Sequence, residues 1–248
     1  MEHLLRATAQ AEKRHFWYRG LRAFVTPLIK RAVADRPNPL ILDCGCGTGA
    51  NLDLLGRFGR AYGFDLSETG LSIGRSEGRL RTARASVAAV PFRTASFDLV
   101  TSFDVLYSLE TPDELTAVAE MFRLLRPGGH ALVNVAAMNL LRGDHSVLSR
   151  EVRRYSRAGL RTLMTHAGFR IDRITYTNAS LFLPMAAARA VQRLRGLSHE
   201  AHAQTDFTVP PAPINAALSA VLQIESAWLR LADAPFGSSL LCLARKPA

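Results

Sequence analysis

Cysteine is scarce: the 248 residues contain only Cys44, Cys46 and Cys242. Three thiols cannot build a disulfide framework, and no Cys/His set has zinc-ligand spacing, so a disulfide-stapled module is excluded and no metal is expected. Lysine is as scarce, since all but Lys13, Lys30 and Lys246 of the 31 basic residues are arginine. No apolar run reaches the length needed to span a bilayer, and Met1-Glu2-His3-Leu4-Leu5-Arg6 lacks the basic-then-apolar order of a signal peptide. The expected setting is cytoplasmic, with no transmembrane segment. What is abundant fits one α/β domain with additions: 48% hydrophobic and 21% charged residues, enough to bury a core. The net charge of +10 suits an acidic partner, yet the arginines are scattered rather than run together, so no dedicated nucleic-acid module is expected.

The segment Leu40-Ile41-Leu42-Asp43-Cys44-Gly45-Cys46-Gly47-Thr48-Gly49 runs an apolar strand into an acidic residue and three alternating glycines. Gly45, Gly47 and Gly49 allow backbone angles closed to other residues, and Cys44 and Cys46 are compact fillers rather than redox centres. A dinucleotide loop would read G-x-G-x-x-G, whereas here the acid precedes the first glycine. Its charge would repel a pyrophosphate and suits a ligand with an ammonium and hydroxyls. Roughly 20 positions after the loop, Ala61-Tyr62-Gly63-Phe64-Asp65-Leu66-Ser67 reads as a second strand ending in Asp65, the spacing of a ribose-binding carboxylate.

This stretch resembles the first motif of class I S-adenosylmethionine-dependent methyltransferases. Val90-Pro91-Phe92 with Ser96 to Leu106 resembles the family's fourth-strand region, and Arg126-Pro127-Gly128-Gly129 followed by His130 to Val135 its turn into strand five. The resemblance implies a Rossmann-like α/β sheet of seven strands, the last antiparallel, with S-adenosylmethionine as cofactor and S-adenosylhomocysteine as product. It places the cofactor on Asp43, Gly45, Cys46, Gly47, Gly49, Asp65, Leu66, Ser86, Val87 and Phe103. Two positions depart from the family: Ser86 stands where an adenine-binding Asp is usual, and Tyr107-Ser108 where relatives often carry His.

Residues 1–36 are expected to be an N-terminal helical lid with Gly20 as its joint, and residues 37–248 the methyltransferase domain. Three successive aromatics in His15-Phe16-Trp17-Tyr18 cannot share one helix face, since neighbours point about 100° apart. They resemble the aromatic lid of the methyltransferase type 11 group, which implies Trp17 at the cofactor and Tyr18 at the acceptor; plain packing is the other reading. Thr111-Pro112-Asp113-Glu114 predicts a capping box opening a helix to about Leu125, with Leu115, Val118, Ala119 and Phe122 facing the sheet. Another helix follows Ser156 and stops at Gly168, strand six runs from Phe169 to Thr177, and the last strand covers 238–244. Residues 179–235 form a helical insertion, with helices over 181–194 and 214–231 joined by a rigid link at 206–213. It reads as extra core, as a homodimer face, or as a lipid-binding cap making peripheral membrane contact.

Residues 144–156 resemble the same group's acceptor-side loop. His145 and Glu151, with Tyr107, are the candidate bases, while Arg153 and Arg154 could hold phosphate or carboxylate bidentately, with Tyr155 beside them. The expected function is methyl transfer to an O, N or C atom of a small-molecule or lipid-like acceptor. The alternatives are an RNA or protein methyltransferase, or a non-catalytic S-adenosylmethionine-binding partner subunit.

Overall fold

The structure is a computed structural model that describes residues 9, 11–142, 146, 151–195 and 209–248. Seven strands, β1 (Leu40–Cys44), β2 (Arg60–Asp65), β3 (Thr82–Arg84), β4 (Phe97–Phe103), β5 (Leu125–Ala136), β6 (Arg170–Thr177) and β7 (Ser239–Arg245), form one sheet in the order β3-β2-β1-β4-β5-β7-β6. β1 to β5 pair in parallel, and β7 lies antiparallel between β5 and β6. β4 is buried along its whole length, its polar Asp98 and Thr101 engaged with Leu40 N and Asp43. The chain winds outward from β1 to β3 and then restarts on the other side at β4. Ligands of open α/β sheets bind at this reversal, beyond the carboxyl ends of β1 and β4.

The helices are α1 (Phe16–Ala32), α2 (Leu52–Leu55), α3 (Glu68–Ser76), α4 (Thr111–Leu124), α5 (Arg157–His166), α6 (Phe182–Arg195) and α7 (Ala212–Trp228). Four details correct the sequence reading. Gly20 is no joint: it lies inside the unbroken α1, where a methyl group would collide with Leu222 of α7. The break falls at His15, which caps α1 by accepting from Trp17 N. α4 has no side-chain cap, because Glu114 turns inward; its buried face is Glu114, Ala117, Val118, Met121 and Leu124, while Leu115 is exposed. Arg126 to Gly129 is a bulge within β5 rather than a turn before it, since Phe97 pairs with Leu125 but Leu99 with His130. The two insertion helices fall close to their expected bounds, and of the link between them residues 206–208 lie outside the described residues.

α1 buries Leu21, Phe24, Val25, Leu28 and Ile29 in the main core, so most of the segment expected as a lid is a structural layer of the fold. Among the described residues, the short helical stretch over 11–14 reaches the glycine loop through Glu12 and Thr48.

Candidate functional site

β1, β2 and β4 each deliver an aspartate to the carboxyl edge of the sheet: Asp43 within β1, Asp65 at the end of β2, and Asp104 just after β4. Between the first two runs the glycine loop. Gly45, Gly47 and Gly49 have φ of 75°, 57° and 73°, and a methyl at Gly45 would lie 2.5 Å from Val105 Cγ2. The backbone N–H groups of Gly45 and Cys46 both donate to Phe64 O at 2.9 Å, tying the loop to β2. Asp65 completes the tie by accepting from Gly47 N at 2.7 Å and Ser67 N at 2.8 Å, one bond on each oxygen. Each oxygen keeps a further lone pair for a ligand hydroxyl.

Asp43 is buried. Its Oδ1 accepts from Thr101 Oγ1 at 2.6 Å, while its Oδ2 is shut away from water with no partner. Burial, opposed by the Thr101 hydrogen bond and reinforced by Asp65 and Glu12, pushes its carboxyl up to about 7. An orphaned carboxylate oxygen is costly unless a donor arrives. At Gly47 a side chain would meet open space, and Leu66, 66% exposed, lies next to Asp65. An orphan acceptor, free lone pairs on Asp65 and an uncovered apolar side chain fit a ligand with a cationic end, a ribose and an adenine face. Cys46 is buried against Gly63 with its thiol pushed up by burial, which makes it packing rather than a nucleophile.

Of the remaining cofactor candidates, Ser86 Oγ accepts from Ala88 N at 3.2 Å and so serves its own turn first. Val87 packs beside Cys44 and Leu106, and Phe103 is buried at the end of β4. Trp17 is half-buried in the first turn of α1. The residue that bridges the N-terminal segment to the loop is Glu12, whose Oε2 accepts from Thr48 Oγ1 at 2.5 Å. Lys13 adds a 2.9 Å ion pair to Glu77.

On the acceptor side Asp104 is central and was not singled out from the sequence. It holds φ of 60°, strained for a non-glycine residue, and accepts from Asn134 Nδ2 at 2.9 Å. Burial foremost, then the charge of Glu151, outweighs the Asn134 hydrogen bond and Arg154, and its carboxyl rises to about 7. Tyr107 is buried nearby, its phenol held well above its usual range by burial, Asp104 and Glu151. Such a phenol keeps its proton at neutral pH. The Tyr18 phenol is likewise raised, by burial first and then by the charges of Glu12 and Asp104.

The loop expected to bind the acceptor is largely engaged with the protein itself. Arg154 pairs bidentately with buried Glu151 at 2.8 and 2.9 Å and donates to Ala137 O. Arg153 pairs with Glu114 and donates to Leu109 O and Thr111 Oγ1. The Tyr155 hydroxyl donates to the other Glu114 oxygen. Glu151 is thus already ion-paired, and Arg153 and Tyr155 turn to α4 rather than outward. His145 lies outside the described residues. The missed signal was visible: Ser102-Phe103-Asp104 ends its strand in an acid just as Asp43 and Asp65 end theirs.

The sheet order, the antiparallel seventh strand and the glycine-loop edge are those of the Rossmann-like fold that methyltransferases share. Residues 42–133 match the family described as Methyltransferase domain. The demethylmenaquinone methyltransferase of Lactococcus lactis is 38% identical over 113 residues, covering 41% of this chain and 44% of that protein. A Bos taurus protein named "Probable tRNA methyltransferase 9B" is 30% identical over 149 residues, covering 56% and 32%. The chain thus spans less than half the length of either relative. Among solved structures, Haemonchus contortus phosphoethanolamine N-methyltransferase 2 in complex with S-adenosyl-L-methionine superposes with a TM-score of 0.62 at 18% identity, covering 100% of this chain and 58% of that one.

Proposed function

We propose that the protein transfers a methyl group from S-adenosylmethionine to a small or lipid-like acceptor. The observation that carries this reading is the buried, unpartnered Oδ2 of Asp43 beside the left-handed glycine loop. When bound there, S-adenosylmethionine supplies an electrophilic methyl on sulfur and leaves as S-adenosylhomocysteine. Asp43 would meet the cationic end of the ligand, Asp65 the ribose and Leu66 the adenine face. Gly45, Cys46, Gly47 and Gly49 shape the loop, Ser86 and Val87 border the base, and Trp17 and Phe103 close the sides. Alignment of acceptor and methyl does most of the work in such a transfer, about 7–11 kcal/mol in well-oriented cases. Asp104, its carboxyl raised to about 7 and held by Asn134, is the base this reading assigns to an acidic O–H, N–H or C–H acceptor. His145 is a second proposed base.

The Bos taurus relative and the net charge of +10 favour a tRNA acceptor as a second reading. Against it, Arg79, Arg123, Arg126, Arg153, Arg154 and Arg173 are held in ion pairs and offer phosphate a diminished charge. Calorimetry with S-adenosylhomocysteine and NAD, followed by transfer of labelled methyl to a metabolite extract, a lipid extract and tRNA, tests both. NAD binding in place of S-adenosylhomocysteine would overturn the cofactor assignment. Label on tRNA alone would install the second reading.

A further inference from the structure

α7 is built inside out. Its buried residues are Asn215, Ser219, Leu222, Glu225 and Ser226, all but one of them polar. Asn215 accepts from Phe16 N and donates to Arg14 O, both at 2.8 Å; Ser226 Oγ donates to Ala23 O at 2.8 Å. Glu225, the one charged residue of the helix, accepts from Ala179 N, Ser180 N and the Ser180 hydroxyl. The opposite face carries Ile214, Val221, Ile224 and Trp228, continued by Leu231, with exposures of 53%, 37%, 70%, 47% and 87%. At 100° per residue these positions fall on one stripe, and no charge interrupts it.

What lies beside the stripe identifies the occupant. α1 and α7 run parallel, since Phe16 meets Asn215, Gly20 meets Leu222 and Ala23 meets Ser226. Lys30 and Arg31, both exposed in the last turn of α1, therefore sit at the end of α7 that bears Trp228, exposed Arg230 and Leu231. The nearby Asp233 is already paired with Arg173 at 2.8 Å. An apolar stripe ending in an indole and a cluster of cations matches a surface that offers hydrocarbon and anionic phosphate together.

We infer that the exposed face of α7 docks on an anionic phospholipid surface, with Lys30, Arg31 and Arg230 at the headgroups and Ile224, Trp228 and Leu231 at the acyl boundary. This docking is independent of which acceptor is methylated. No helix among the described residues is long and apolar enough to cross a membrane, so the contact is one of lying on, not spanning.

The test is flotation of the full chain with phosphatidylglycerol-containing vesicles against pure phosphatidylcholine vesicles. Preferential binding to the anionic vesicles, lost with added salt, is expected. The chain has two tryptophans, Trp17 and Trp228, so a Trp17→Phe background leaves Trp228 as the reporter, and its emission should shift to the blue on anionic vesicles. Ile224→Gln with Leu231→Gln should lower partitioning at least tenfold. Both side chains are exposed, so an unchanged melting midpoint will show the fold intact. Equal binding to both vesicles, none to either, or a dimer in sedimentation that the double variant abolishes would each overturn the inference, the last by giving this face to a second copy.

Discussion

On the cofactor side of the sheet edge, the seven consecutive residues from Asp43 to Gly49 supply the orphan carboxylate, the left-handed loop and most of the bonds that hold it. On the acceptor side, Tyr18, Asp104, Tyr107, Asn134, Glu151 and Arg154 come from α1, the end of β4, β5 and the loop after it. The first is a backbone device whose geometry is written locally; the second is a set of side chains assembled by the fold. A cofactor that every member of a family shares needs one fixed cradle, whereas an acceptor that varies needs positions that can change one at a time.

The comparison breaks most visibly at Asp104. Asp104→Asn should lower methyl transfer by about 10²–10⁴-fold while S-adenosylhomocysteine affinity, read by calorimetry, stays within a few-fold. If both fall together, the two halves are not separable.

The support of the acceptor side comes next. Glu114 holds Arg153 and the Tyr155 hydroxyl from inside α4, so Glu114→Ala leaves a guanidinium without its partner and should cost roughly 3–5 kcal/mol of stability. A urea midpoint shifted at constant slope would show it. Arg153→Ala made in the same background should add little, since the pair is already gone.

Asp65→Ala addresses the cofactor half. It removes the acceptor for Gly47 N and Ser67 N, and cofactor binding should weaken by roughly 1.5–3 kcal/mol. Unchanged affinity would move the ribose contact elsewhere.

The pH dependence sharpens the contrast. Asp43 and Asp104 are both raised from 3.8 to about 7, so the folded state holds protons that the unfolded chain has lost. Stability without cofactor should therefore fall as pH rises from about 4 to about 7 and level off above. Cofactor affinity should move the other way, rising by up to roughly tenfold per pH unit below the Asp43 pKa, because only the ionised carboxylate attracts an ammonium. Asp104→Asn should halve the stability slope without touching the affinity slope.

The same contrast explains what could be read from the sequence. The glycine loop and the ends of the first two strands were legible because a strand running into D-x-G-x-G-x-G constrains its own neighbourhood. Gly20 misled, since an isolated glycine looks alike whether it bends a helix or admits Leu222. Glu114 misled because its spacing from Thr111 is that of a capping box, while its true partners are 39 and 41 residues away. Asp104 was passed over inside a recognised strand, for its strained φ and its bond to Asn134 exist only once β4 and β5 have paired.

The bonds between α1 and α7 join residues 199 to 203 positions apart. At a synthesis rate of 5–20 residues per second, α1 leaves the ribosome roughly 10–40 s before α7 exists. Through that interval Phe24, Val25, Leu28 and Ile29 are without the finished core that buries them. The helix made earlier is among the last to be secured, and a chaperone that holds nascent apolar helices would find its target there.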